Sequence, residues 1–182
     1  MGTNGLALAV DEIIRESTRQ TLTALRLKGP NFKETPKRVA KFWLDFTNKP
    51  IPVWKTFPTN NNEMVIMRNH IVWGLCPHHL LPVRYKVKLA YLPDGEALGL
   101  SKLARLVDFM VSTLPIQEDL TQSIVNALDE KINNKGVACQ IEGEHLCMQM
   151  RGVKSQQASV VTTALKGMFF DVLATREEFL KS

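Results

Sequence analysis

Arg84-Tyr85-Lys86-Val87-Lys88-Leu89-Ala90-Tyr91-Leu92 carries the clearest strand pattern in the chain. Lys86, Lys88 and Ala90 alternate with Val87, Leu89 and Tyr91, the period of a strand buried on one side. Pro93-Asp94-Gly95 turns the chain at its end. Upstream, a partner strand is predicted from Met64 to Trp73, with the Cys76 segment between the two. Downstream, Leu103, Leu106, Val107 and Met110 repeat at helical spacing, and so do Leu120, Ile124, Leu128 and Ile132. Two helices are therefore predicted over 101–113 and 117–133, divided at Pro115. After Asn134-Lys135-Gly136, strands are predicted over 137–150 and 158–171, with a short closing helix.

Before this block, a helix is predicted over 6–27 from the rough stripe Leu8, Ile13, Ile14, Leu22 and Leu25, stopped by Gly29-Pro30. Thr35-Pro36 opens another, with Thr35 as cap and Pro36 in the first helical position. It carries Arg38, Val39, Phe42 and Trp43 and fails before Pro50. The stretch 48–62, rich in Pro, Asn and Thr, reads as a connecting loop. The organisation expected is a helical extension with its loop over 1–60 and one main structural unit over 61–182. The order β-β-α-α-β-β predicts an α+β fold, an antiparallel sheet with helices on one face.

At 182 residues, with 45% hydrophobic and 23% charged residues, the chain suits a folded domain with a substantial core, not a disordered segment. No run approaches the roughly 20 apolar residues that span a bilayer. Met1-Gly2-Thr3-Asn4-Gly5-Leu6 lacks the features of a secretory signal, and Leu6 stands where myristoylation requires Ser or Thr. Three cysteines, two of them beside histidines, make no disulfide framework, so a cytoplasmic location is expected. The net charge of +5 is spread along the chain. That argues against nucleic acid and suits either a small polyanion or a solvated basic surface.

Cys76-Pro77-His78-His79 and His145-Leu146-Cys147 hold all but one of the four histidines and all but one of the three cysteines. Thiolate sulfur and neutral imidazole are ligands that zinc prefers. Neither segment is a paired Cys-x-x-Cys knuckle, and three ligands with spare histidines suggest the open coordination position of a catalytic zinc. Cys76 and His79 have the separation that lets one tight loop offer both. His78 beside them suits proton transfer, or the orientation of a ligand. A regular strand over 141–151 would put His145, Cys147, Gln149 and Arg151 on one face, a poor core but a good pocket wall. Cys139, in an apolar strand, and His70, without metal-like neighbours, read as structural.

Gly99-Leu100-Ser101-Lys102-Leu103-Ala104-Arg105 places a hydroxyl and two cations at a helix start, where phosphate is attracted. Taken alone, the segment reads as well as an amphipathic helix with a basic outer face. Gln117-Glu118, taken alone, reads as dipole compensation in a first helical turn.

Together these segments closely resemble the GTP cyclohydrolase I family. The resemblance runs from Glu34-Thr35-Pro36-Lys37-Arg38-Val39-Ala40 to about Phe169. Its specific parts are CPHHLLP (76–82), AYLP (90–93), GLSKLARL (99–106), QEDLT (117–121) and HLCMQMRGV (145–153), in the family's order and spacing. It implies the tunnelling fold, assembled as a homo-oligomer, usually a homodecamer of two pentamers, with active sites at subunit interfaces. It implies conversion of GTP and water to 7,8-dihydroneopterin triphosphate and formate, by hydroxide attack at guanine C8, ring opening, ribose rearrangement and reclosure. By position, Cys76, His79 and Cys147 match the zinc ligands, and His78 and His145 the catalytic proton carriers. Glu118 matches the guanine anchor with Gln117 beside it. Ser101, Lys102, Arg105, Arg151 and Arg38 match the residues around ribose and triphosphate.

The chain departs from the family's pattern at Pro77, where glutamate is usual, at Asp119, where arginine is common, at Pro115, where glutamine is common, and around Arg84-Tyr85. None of these removes an inferred ligand, proton carrier or base anchor, so a divergent member is expected. Two alternatives remain open at this point: a member that stops at a ring-opened formamidopyrimidine, and a non-catalytic zinc-stabilised oligomer that binds nucleotides. The related nitrile reductase chemistry needs a nucleophilic cysteine, whereas Cys76 and Cys147 are better used as ligands.

Overall fold

The computed structural model describes residues 3–182, with side chains from residue 8 onward. The chain divides into two compact units between Lys49 and Pro50. In the first, α1 (Thr3–Ala24), a single 3-10 turn (Pro30–Phe32) and α2 (Thr35–Thr47) follow one another. The first helix stops before the Gly29-Pro30 pair that the sequence names as its breaker. Arg26 takes a left-handed φ of 56°, and the Leu27 N–H donates back to the Leu22 carbonyl at 2.9 Å. This is a left-handed C-terminal cap of the Schellman type. Thr35 does not cap α2 either. Glu34 holds the cap position with no side-chain bond, and Pro36 lies in the first turn, where N–H groups have no helical partner to lose.

The second unit is built on four antiparallel strands: β2 (Val65–Leu75), β3 (Pro82–Pro93), β5 (Asn134–His145) and β6 (Val160–Gly167), hydrogen-bonded in that order. Two short strands, β1 (Thr56–Pro58) and β4 (Glu96–Leu98), pair separately. Thus the 48–62 loop expected from composition contains a strand. Three residues are too few to show a period, and their partner lies far along the chain. Between β4 and β5 run α3 (Ser101–Ser112) and α4 (Gln117–Lys131), close to their predicted ranges. α3 packs on β2, and α4 on β5 and β6. The main elements therefore have the expected α+β, β-β-α-α-β-β arrangement. No described helix is long and apolar enough to cross a membrane.

The alternation along β3 accounts for the core. Val83, Val87, Leu89 and Tyr91 are fully buried, as are Val137, Cys139 and Ile141 of β5 and Leu120, Ile124 and Leu128 of α4. Each such aliphatic side chain contributes about 1.5–3 kcal/mol when removed from water.

Two strands end earlier than the sequence predicts. β5 stops at His145, and Leu146–Gln149 form one helical turn, α5; Leu, Met and Gln favour helix over strand. β6 stops at Gly167, whose φ is 55°. A Cβ there would stand 2.4 Å from the Lys135 carbonyl oxygen, so only glycine lets the chain turn into α6 (Met168–Asp171) and α7 (Leu173–Lys181). These closing turns cover one end of the sheet's other face. Phe169 and Phe179, both fully buried, meet edge-on at 5.7 Å above Ala90, Leu92 and Ala138. Lys88 Nζ donates to the Phe179, Leu180 and Ser182 carbonyls at 3.0, 3.3 and 3.0 Å, satisfying groups that a helix end leaves free. Phe179→Ala is expected to lower unfolding stability by about 3–5 kcal/mol, read as a lower denaturant midpoint.

Candidate active site and metal centre

β2 ends at Leu75, and the next six residues make the turn that returns as β3. Cys76 is its clasp. Its N–H donates to the Leu81 carbonyl at 2.9 Å, and its carbonyl accepts from the His79 and Leu80 N–H groups at 3.3 and 2.7 Å. None of these bonds uses the N–H of residue 77, so Pro77 enters the turn without removing one.

The second half of the site arrives through strand register. β5 lies antiparallel to β3 with His145 opposite Val83, which brings the end of β5 beside the start of β3 and so beside the Cys76 turn. The helical turn α5 then sets Cys147 against Cys76. His145, Cys147, Gln149 and Arg151 therefore do not share a strand face, as the sequence predicts, because the strand has ended. Arg151 instead meets His79, its guanidinium against Nε2.

One donor atom each from Cys76, His79 and Cys147 lies within 4.8 Å of the others. Cys76 Sγ is 3.7 Å from His79 Nδ1 and 3.7 Å from His78 Nδ1. Tetrahedral zinc with bonds near 2.0–2.3 Å holds its ligand atoms about 3.5–3.8 Å apart. Two thiols and an imidazole at this spacing fit such an ion with a small contraction. Burial, followed by the neighbouring Cys76 thiol, pushes the Cys147 thiol up, so Cys147 keeps its proton until a metal displaces it.

A cleft of about 330 Å³ opens next to these ligands, and Cys76, His78, Tyr85, Gln117, Glu118, His145 and Cys147 are on its wall. His145 Nε2 is 2.8 Å from Gln117 Oε1. Burial lowers the His145 pKa, with Glu118 opposing, so the ring is neutral at neutral pH. Tyr85 stands edge-on to His145 at 6.0 Å. Burial first, then the charges of Cys76, Glu118 and Cys147, push its phenol up to about 12. Glu118 is exposed in the first turn of α4.

The other expected site residues are not in this cleft. Ser101, Lys102 and Arg105 belong to the start of α3, and the residues lining the cleft, Pro115 and Ile116, follow its far end. Twelve helical residues at about 1.5 Å each separate the two ends by roughly 18 Å. Arg38 lies exposed on α2 in the first unit. Cys139 is fully buried in β5, its thiol pushed far up by burial. His70 Nε2 lies 3.1 Å from Asp108 Oδ1, tying β2 to α3. Sequence reading missed Tyr85. Tyr85 sits on the inward face of the decisive strand, but only its register next to Cys76 reveals a place in the cleft.

The family model described as GTP cyclohydrolase I matches residues 14–182. A protein of Aquifex aeolicus (strain VF5) named GTP cyclohydrolase 1 is 45% identical over 181 residues, 96% of this chain and 97% of its own. One of Campylobacter concisus (strain 13826), named likewise, is 38% identical over 179 residues, 93% and 94% of the two chains. One of Pseudomonas aeruginosa, named GTP cyclohydrolase 1 1, is 43% identical over 154 residues, 81% and 83% of the two.

Both tyrosines, Tyr85 and Tyr91, are shifted upward by burial. As pH rises past about 10 the unfolded chain loses phenolic protons that the native chain keeps, so stability falls with rising pH there. Near-ultraviolet absorbance should show no tyrosine step at the ordinary pKa, and denaturant midpoints should fall between about pH 10 and 12.

Proposed function

This chain belongs to the GTP cyclohydrolase I family, and we propose that it converts GTP and water to 7,8-dihydroneopterin triphosphate and formate, using zinc held by Cys76, His79 and Cys147. The observation that carries this reading is the convergence of two thiols and an imidazole within 4.8 Å beside a cleft that presents His78, His145 and Glu118. Zinc in that position supplies Lewis acidity that makes water a competent nucleophile near neutral pH. The Glu118 carboxylate accepts from the guanine N1–H and N2–H together, a pairing that adenine does not offer. With the base so fixed, C8 and N7 of its imidazole ring face the metal side of the cleft. There His145 and His78 give and take protons as the ring is hydrated and opened. Tyr85, a neutral phenol at neutral pH, is a hydrogen-bond donor on the same wall.

The triphosphate needs several cations. Ser101, Lys102 and Arg105, at the far end of α3, serve a cleft formed with another copy of the chain; Arg151, which meets His79, and Arg38 are the further cations of this reading. This supports an oligomer with active sites at subunit interfaces, of which a homodecamer of two pentamers is the proposed form. Two further features favour self-association. β2 and β6 are the outer strands of the main sheet, and Ile71 and Trp73 on β2 are 40% and 56% exposed.

The zinc-loaded protein should turn GTP into formate and a product that fluoresces after oxidation. Cys147→Ser should lose both metal and product, and His145→Ala should keep the metal while turnover falls by about 100-fold or more. A ring-opened formamidopyrimidine as the only product, identified by mass spectrometry, would replace the full reaction with its first stage. For the shared site, Lys102→Ala and His145→Ala chains, each inactive alone, should regain product formation when mixed and reassembled. No recovery in the mixed oligomer would place both residues in a site of one chain.

A further inference from the structure

Gln117 opens α4, yet only 3% of it is exposed. Its amide nitrogen lies 3.1 Å from the Ile141 carbonyl oxygen, 2.8 Å from the Val160 carbonyl oxygen and 3.2 Å from Thr162 Oγ1. Its amide oxygen lies 2.8 Å from His145 Nε2. These partners fix which way the amide faces. Exchanging its oxygen and nitrogen would set an acceptor against two backbone carbonyls, which also only accept. The oxygen must therefore face His145, and the ring nitrogen it meets must carry a hydrogen. Among the described residues, no hydrogen bond engages His145 Nδ1.

The surroundings hold this pair in place. Thr121 Oγ1 donates to the Gln117 carbonyl at 2.8 Å and lies 2.6 Å from Thr162 Oγ1. A Cβ at Gly143 would stand 2.2 Å from Gln117 Oε1 and 3.0 Å from His145 Nε2, so only glycine leaves room for the contact.

We propose that Gln117 is a positioning residue that fixes the His145 ring with a hydrogen on Nε2, leaving Nδ1 as the nitrogen that faces the substrate. Nδ1 accepts one proton from water and passes that same proton to the reacting guanine ring, while the hydrogen on Nε2 stays bonded to His145 and is donated to Gln117 Oε1. This assigns Gln117 a different task from the guanine contact expected beside Glu118. Both amide hydrogens are committed to the protein, and the oxygen is turned to His145.

The kinetic part of the test rests on the proposed GTP reaction, and the spectroscopic part does not. Magic-angle-spinning 15N spectra of the zinc-loaded, histidine-labelled full chain report the ring hydrogens directly, with His145 assigned by its loss in His145→Ala. The expected result is a hydrogen on Nε2 of His145 in the parent protein. A hydrogen on Nδ1 with a bare Nε2 overturns the proposal, whether or not GTP is turned over. Gln117→Met keeps length and removes the acceptor. It should lower kcat by about 100-fold while the GTP dissociation constant moves by less than about tenfold. A dissociation constant weakened beyond that with kcat retained would make Gln117 a base ligand and overturn the inference. GTP binding to His145→Ala should be equally indifferent to adding Gln117→Met, and a large further loss there would count against the proposal in the same way.

Discussion

The antiparallel register of β3 on β5, with Val83 opposite His145 and Val87 opposite Ile141, is the constraint on which the rest of the second unit depends. The cysteine-bearing turn precedes β3, and the second cysteine follows β5. Only this pairing, with its strand ends aligned, brings the two halves of the site together. The core enforces it. A slip of one residue would turn Val137, Cys139 and Ile141 out of the interior and His145 away from the cleft. At about 1.5–3 kcal/mol per aliphatic side chain, the core favours this register before any ligand binds. Core packing therefore fixes the position of the site, and the site chemistry need not contribute to its own placement.

A buried amide couples the helical layer to the same register. Gln117 would be costly inside the protein if its hydrogens were unpaired, and three acceptors on β5 and β6 meet them. Those acceptors fix where the first turn of α4 stands on the sheet. The next residue, Glu118, is rotated by roughly 100° around the helix and emerges exposed at the cleft. One residue ties the helix down so that its neighbour can face the cleft.

Most of this frame is legible in the sequence because it rests on periodicity. The alternation at 84–92 gives β3, and the apolar repeats from Leu103 and Leu120 give α3 and α4. Cys76, His79 and Cys147 are legible from ligand chemistry without any structure. The illegible parts share a physical cause: they depend on partners distant in sequence or on very short segments. β1 has three residues and pairs forty positions away. The end of β5 at His145 is a contest between strand pairing and the helix preference of Leu146 to Gln149. The place of Gln117 depends on Ile141, Val160 and Thr162, none of which its local sequence announces.

The departures at Pro77 and Asp119 read differently once the backbone is known. The Cys76 turn is closed by the N–H groups of Cys76, His79 and Leu80, so proline at 77 removes no bond from it. Its fixed φ also reduces the entropy lost when the loop orders. Asp119 lies in the first turn of α4 beside Glu118, where two carboxylates face the positive end of the helix dipole. An arginine there would oppose that dipole while neutralising Glu118. The aspartate leaves Glu118 beside a second carboxylate, so the first turn of α4 is more acidic than it would be with arginine. The cations Lys102 and Arg105 lie at the opposite end of α3 from the residues that line the cleft. The charge pattern and the helix geometry thus separate an acidic cleft wall at Glu118 from a basic helix start at Lys102 and Arg105.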